Sequence, residues 1–121
     1  MNYIELFAGC GGLTLGLERA GFELLMANEL SPMAAETFAY NHCHESLREL
    51  ADEETPKKSE KTLWLSSKFQ DLKSRLRENP FQYPPLGQGV SDMPKLPSDL
   101  KGKMVVGNLI QLNEFLQSNP K

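Results

Sequence analysis

The sequence predicts an α/β protein that forms part of a doubly wound parallel sheet. Three observations support this fold class: an apolar run at residues 2–7 leads directly into a glycine-rich turn, a second apolar run at 23–28 follows a helical pattern, and a third at 104–106 ends in a glycine. Strands that alternate with helices pair in parallel through right-handed crossovers. The expected order therefore places the second strand between the other two and leaves the first strand at an edge.

The first half of this pattern contains clear helix signals. Residues 13–20 form a helical pattern that stops at Gly21, since glycine favours the left-handed conformation that ends a helix. A second helix is predicted over 32–41. Ser31 is a suitable N-cap, and Pro32 occupies the first helical position, where its missing N–H is not needed.

The middle of the chain has a different composition. Residues 44–103 contain 11 of the 13 Lys and Arg residues and 6 of the 8 prolines, which predicts an insertion between the second helix and the third strand. Apolar residues recur at helical spacing between positions 65 and 76 and predict an amphipathic helix over 60–78. The Pro- and Gly-rich stretch that follows is expected to be an irregular loop. A last helix is expected around 112–117.

Composition limits the class of protein. A chain of 121 residues is one domain at most, and no apolar run reaches the roughly 20 residues that span a bilayer. The two cysteines form no disulfide framework, and no cleaved leader is expected; both favour the cytoplasm. The net charge of −3 argues against strong nucleic-acid binding by this chain alone.

The most informative stretch is the turn at positions 7–12, which has the pattern F-x-G-x-G-G. It departs from the dinucleotide fingerprint G-x-G-x-x-G because Thr14 stands where the last glycine is required. Glycines let a ligand approach the backbone closely, and the N–H groups at the start of a helix then face it. Glu29, twenty residues beyond Gly9, is expected at the tip of the second strand, where an acid can accept hydrogen bonds from a ribose diol.

Three segments in the right order resemble DNA cytosine-5 methyltransferases. Residues 5–13 resemble the first motif of that family, with Glu5 where the family usually has Asp. Residues 28–38 resemble the second motif, and residues 105–109 resemble its Gly-Asp-Ile motif with Asn108 replacing the acid. The resemblance covers the two ends of the chain and implies strands 1–3 of a Rossmann-like methyltransferase fold with a helical and loop insertion before the third strand.

The resemblance implies that the chain binds S-adenosyl-L-methionine. In the family, the acid replaced by Asn108 accepts a hydrogen bond from the adenine amino group, and an Asn oxygen can do the same. The residues implied to bind the cofactor are Phe7, Ala8, Gly9, Cys10, Gly11, Gly12, Leu13, Glu29, Leu30, Asn108 and Leu109.

The resemblance also implies a reaction that this chain alone lacks the residues to perform. Family members methylate carbon 5 of cytosine in a specific DNA sequence, often as partners of restriction nucleases, through a thiolate in a Pro-Cys motif. The sequence contains no Pro-Cys, so no catalytic residue is assigned. We expect an N-terminal cofactor-binding part, with DNA bound by the missing region, a complementary C-terminal methyltransferase chain as a possible partner, and no membrane or metal. The alternatives are a non-catalytic nucleotide-binding module and one subunit of a split methyltransferase.

Several residues have simpler interpretations. Glu29 could serve the dipole of the helix that follows it, and Asn108 could be a turn-forming residue after glycine. Cys10 matches an apolar position of the glycine turn, which favours packing or cofactor contact over a nucleophilic role.

Two further groups of residues have a functional and a simpler interpretation. His42-Cys43-His44 is interpreted as the end of a helix, because adjacent residues cannot converge on one metal ion without further ligands and the sequence has no second Cys/His pair. The basic residues between 57 and 77 are interpreted as a solvated helix face in preference to a nucleic-acid surface, since acidic residues interrupt them.

Overall fold

The computed structural model describes residues 2–6, 12–52 and 59–118. They form a four-stranded, all-parallel sheet in the order β1-β2-β4-β3. The strands are β1 Asn2–Leu6, β2 Glu23–Glu29, β3 Thr62–Trp64 and β4 Lys103–Val106. The helices are α1 Gly12–Arg19, α2 Pro32–His42, α3 Leu47–Asp52, α4 Leu72–Arg75 and α5 Leu109–Ser118. Two short 3₁₀ turns lie at Pro80–Gln82 and Pro97–Leu100.

The predicted α/β class and the order of the three predicted strands are confirmed. β2 lies between β1 and β4, and the ladders align Leu6 with Asn28 and Glu29 with Val106. The carboxyl ends of these three strands therefore meet at one edge of the sheet. α2 begins as predicted, because the Ser31 hydroxyl accepts a hydrogen bond from the Ala34 N–H at 3.4 Å and Pro32 opens the helix.

The prediction of a helix over 60–78 is wrong. Thr62–Trp64 forms β3 and pairs with β4, and only Leu72–Arg75 in that range is helical. The helical spacing was misleading because Phe69 is 39% exposed, whereas four consecutive residues, 64–67, are buried. Asp71 starts a new helix, since its carboxylate accepts the Ser74 N–H at 2.9 Å. The middle segment thus adds a fourth strand to the sheet.

Two apolar clusters cover the two faces of the sheet. On one face, α2 and α3 pack against alternate residues of β4, with Phe38, Leu47, Met104 and Val106 among the buried side chains. On the other face, α5 packs against a second cluster, in which the buried residues are Met26, Leu65, Leu100, Val105, Leu112 and Phe115. β4 is buried on both sides, which fixes its register.

The middle segment is held by buried charged side chains. Arg75 is 3% exposed, forms an ion pair with Asp92 and lies 5.4 Å from the ring centroid of Trp64. The Asp92 carboxylate also accepts the Trp64 N–H at 3.0 Å. Glu78, 6% exposed, accepts hydrogen bonds from the Ser67 hydroxyl and the Lys68 N–H. The interpretation as a wholly solvated helix face is therefore wrong for these positions.

The other described basic side chains of that stretch are solvated, as predicted, but only Lys73 lies in a helix. Lys61, Lys68, Lys73 and Arg77 are exposed, and residues 57 and 58 lie outside the described ranges.

β1 lies at an edge of the described sheet, as predicted. Ile4 is 57% exposed and Leu6 is 44% exposed, although both are strongly apolar. Ile4 also lines an open cavity of about 340 Å³ with Leu25, Met26 and Leu116. Within the described ranges, no helix has the length and apolar character needed to cross a membrane.

Candidate cofactor site

The carboxyl edge of the sheet brings two of the predicted site residues together. Glu29 ends β2 and pairs with Val106, the last residue of β4, so Glu29 and Asn108 leave neighbouring strands at the same edge. The Gly107 N–H donates to the Glu29 carbonyl at 3.1 Å and closes the ladder there. Glu29 is thus at the tip of its strand, as its spacing predicted, and Asn108 follows the neighbouring strand.

Asn28 fixes this edge and was not among the predicted site residues. Its side chain is buried, and Nδ2 donates to the carbonyls of Val105 at 3.0 Å and Gly107 at 3.1 Å. One amide therefore holds the end of β4 and the turn after it against β2. A polar residue directly after an apolar strand pattern was the available sequence signal.

Gly107 is required by the packing behind the turn. A Cβ at this position would lie 2.6 Å from Cδ1 and 2.9 Å from Cβ of Leu65, much closer than carbon atoms approach. Its φ is +156°. Leu65 in turn is fixed because its N–H donates to the Val106 carbonyl at 2.9 Å. The glycine of this motif therefore allows close packing between the residues that directly follow β3 and β4.

Glu29 faces the loop that starts α2. Its Oε2 accepts the Ser31 N–H at 2.8 Å, and the residue is half-buried. This contact supports the simpler interpretation, in which the acid serves the start of the following helix. It also sets the direction of the carboxylate at the carboxyl edge. Leu30, beside it, is half-buried, and its carbonyl accepts the Tyr83 hydroxyl at 2.9 Å.

Asn108 caps α5. Its Oδ1 accepts the Gln111 N–H at 2.7 Å, so the interpretation as a turn and capping residue has direct support. The cap holds the carboxamide at the carboxyl edge and uses one of the two lone pairs of the oxygen. Leu109 is the first residue of α5 and is 37% exposed.

The glycine turn itself lies mostly outside the described residues, which exclude Phe7, Ala8, Gly9, Cys10 and Gly11. Its two flanks are described. β1 ends at Leu6 opposite Asn28, and α1 starts at Gly12 and continues through Leu13. The chain therefore enters the turn at the same edge as Glu29.

Buried polar side chains lie next to these flanks. Glu5 is 5% exposed and Thr14 is fully buried. Burial raises the pKa of Glu5 because the ionised form loses hydration, although the nearby charge of His42 partly opposes this. Burial also raises the pKa of Tyr3.

The His-Cys-His run forms the end of a helix, as predicted. α2 ends at His42, and the Cys43 N–H donates to the Ala39 carbonyl at 2.9 Å. Burial raises the pKa of the Cys43 thiol to about 11. Within the ranges that the structure describes, His, Cys, Asp and Glu side chains form no group of three that could hold a metal ion.

Comparison with known proteins gives relatives for the first half of the chain. The model of the family described as C-5 cytosine-specific DNA methylase matches residues 1–69. The type II methyltransferase M.FnuDI of Fusobacterium nucleatum is 46% identical over 61 residues, 47% of this chain and 18% of that relative. M.NgoPII of Neisseria gonorrhoeae is 55% identical over 42 residues, 35% of this chain and 12% of that relative. No solved structure matches the chain.

The matched segments cover less than a fifth of either relative. The family match, in contrast, covers more than half of this chain and includes the glycine turn, Glu29 and the first residues of the middle segment. The chain belongs to the C-5 cytosine-specific DNA methylase family.

Proposed function

We propose that this chain is the N-terminal S-adenosyl-L-methionine-binding part of a DNA cytosine-5 methyltransferase. The observation that carries the proposal is the convergence of three residues at the carboxyl edge of three adjacent parallel strands: Leu6, which precedes the glycine turn, Glu29 and Asn108. Ligands of open α/β sheets bind at this edge. The family match adds independent support.

The described residues fit the adenosine half of this cofactor. The Glu29 carboxylate offers acceptors for a ribose diol, and the Asn108 carboxamide offers an acceptor and two donors for an adenine edge. Leu30 and Leu109, next to these residues, supply apolar surface for a ring. When bound, the cofactor supplies an electrophilic methyl group, and the role of this chain is to bind and orient it.

The complete protein would methylate carbon 5 of cytosine in a specific DNA sequence, as part of a restriction-modification system. The names of the two relatives, both type II methyltransferases, support this proposal. DNA would be bound, and the base attacked, by regions that this chain does not contain, since the sequence has no Pro-Cys. We place the protein in the cytoplasm, where its DNA substrate is found.

Calorimetry with S-adenosyl-L-methionine tests the binding site. Glu29→Ala should weaken binding by about 1.5–3 kcal/mol, because the ribose loses charge-assisted hydrogen bonds. Glu23→Ala, at the other end of β2, is the matched control: Glu23 is exposed, and its ion pair with Lys101 is open to solvent. Tight binding that Glu29→Ala leaves unchanged would disprove the ribose assignment.

A labelling assay tests the division between cofactor binding and chemistry. The chain alone, incubated with labelled cofactor and DNA of mixed sequence, should leave the DNA unlabelled because it lacks the Pro-Cys thiol. Label incorporation that Cys10→Ser abolishes would make Cys10 the nucleophile. Incorporation that survives this change would show that another residue performs the reaction.

The exposed edge of β1 favours a second possibility, that the chain is one subunit of a split methyltransferase. Ile4 and Leu6 are exposed on a strand of apolar composition, and an unpaired apolar edge is a template for pairing with another chain. A separately expressed C-terminal methyltransferase chain should bind this edge and restore methylation. Alone, the chain should dimerise or aggregate. A stable monomer at high concentration that ignores such a chain would favour a free-standing binding module.

A further inference from the structure

The Pro-rich loop of the middle segment joins the two halves of the candidate site. The Tyr83 hydroxyl donates to the Leu30 carbonyl at 2.9 Å, and Gln111 Nε2 donates to the Pro84 carbonyl at 3.0 Å. Leu30 follows Glu29, and Gln111 is the residue whose N–H is capped by Asn108. Residues 83–85, the strap, therefore connect the loop after β2 to the first turn of α5.

The strap is held firmly from the middle segment. The Ser66 hydroxyl donates to the Pro85 carbonyl at 3.2 Å. Pro84 lies so close to Gly89 that a Cβ there would be 2.4 Å from the proline Cγ. Ser67 and Val90 exchange two backbone hydrogen bonds of 2.9 Å and keep the ends of this loop together. Two consecutive prolines further restrict its backbone.

Tyr83 is partly buried, so its hydrogen bond can hold the Leu30 carbonyl in place. Its ring is half-buried and packs against the apolar cluster under α2. Burial, with the charge of Glu78, raises the pKa of Tyr83, so the phenol stays protonated and remains a donor over the ordinary pH range. The Leu30 carbonyl thus has a fixed partner 53 residues away in sequence.

We propose that Tyr83 is a positioning residue that holds the loop of Glu29, Leu30 and Ser31 ready for the adenosine half of the cofactor. This inference rests on the proposed function. A loop already held in its binding conformation loses less conformational entropy when the ligand binds. The middle segment contains none of the three family motifs. It would then contribute to cofactor affinity without touching the cofactor.

Two substitutions and a control test the strap. Tyr83→Phe removes one hydroxyl, and Gln111→Met removes the donor to Pro84 at similar volume. Tyr40→Phe removes a hydroxyl from a side chain that is 69% exposed on α2. Each variant is compared with the wild type by calorimetry with S-adenosyl-L-methionine and, without ligand, by amide hydrogen exchange of Ser31 and Ala34.

Tyr83→Phe should weaken binding about five- to tenfold, the loss expected for one buried hydrogen bond. It should also speed exchange at Ser31 and Ala34 while leaving exchange at Val105, in the buried β4, unchanged. Gln111→Met should weaken binding to a smaller extent, and Tyr40→Phe should change neither measurement.

Unchanged exchange at Ser31 would overturn the proposal, even with weaker binding, because the hydroxyl would then act on the ligand directly. Equal acceleration at Val105 would also overturn it, since that result indicates general destabilisation. A wild type that does not bind the cofactor would disprove the proposed function, and the exchange data would still decide whether Tyr83 holds the loop.

Discussion

The two regions of this molecule are specified in different ways. The frame, residues 2–6, 12–43 and 103–118, consists of apolar strands and helices with local start and stop signals such as Ser31 and Pro32. The middle segment, residues 44–52 and 59–102, has only short regular elements. Besides apolar packing, it is held by specific polar contacts between residues far apart in sequence, such as Arg75 with Asp92 and Tyr83 with Leu30.

The two regions also differ in the surroundings of their buried charged side chains. In the frame, Glu5 is buried, and burial raises its pKa. In the middle segment, buried charges have partners of opposite sign or hydrogen-bond donors, as for Asp92 and Glu78. Removing the charge should therefore have opposite effects at two buried positions: it should destabilise the protein at Arg75 in the middle segment and stabilise it at Glu5 in the frame.

The largest expected effect is that of Arg75→Met. The change leaves Asp92, whose side chain is 12% exposed, without its cation, and breaking such a buried pair costs about 3–5 kcal/mol. Unfolding in urea, followed by the fluorescence of the single tryptophan, Trp64, measures it. Arg77→Met is the control at an exposed site and should change stability by less than about 0.5 kcal/mol. Equal effects for the two variants would show that the buried pair contributes nothing.

A smaller effect is expected where the two regions touch. Gly107→Ala places a Cβ against Leu65 and should cost about 1–3 kcal/mol through overpacking. Gly16→Ala lies in α1 with open space around the new carbon and should stabilise the chain by about 0.5–1 kcal/mol. Thermal melts of both variants check the opposite signs. A neutral Gly107→Ala would mean that Leu65 moves aside easily.

The smallest effect concerns Glu5 and depends on pH. Its folded-state pKa is raised, so the folded state holds the proton more tightly than the unfolded state. The contribution of the protonated Glu5 to the free energy of unfolding is present below the ordinary glutamate pKa. It is lost as the pH rises through the folded-state pKa of Glu5. Glu5→Gln should therefore raise the melting temperature at neutral pH and give little change near pH 4. A lower melting temperature at neutral pH would show that the ionised carboxylate is stabilising.

The outcome of the sequence predictions follows the same division. The bounds of α2 and β2 were predicted within a residue or two, because apolar periodicity and capping residues act locally. The parallel pairing and the edge position of β1 were also predicted correctly. β3 was missed because the helical spacing of apolar residues between 65 and 76 led to a predicted helix over 60–78, which includes the residues of β3. Only the contact of Thr62–Trp64 with β4 decides between the two.

The candidate site shows the same limit. Glu29 and Asn108 could be placed at one edge from the parallel order of their strands, and the structure brings them there. Asn28 and Tyr83 could not be found in this way, since their partners lie 77 and 53 residues away in sequence. The cofactor contacts of Glu29, Asn108 and the glycine turn remain predictions that the calorimetry addresses.

The sequence by itself determined the fold class, the family and the edge of the sheet at which Glu29 and Asn108 lie, because motifs and apolar periods are local properties of the chain. Tertiary structure alone decided that the middle segment adds a strand, buries Arg75 against Asp92 and returns through the strap to Leu30. These features depend on which distant polar groups become buried together. An unpaired buried polar group costs free energy wherever it lies, but its partner is known only when the chain has folded.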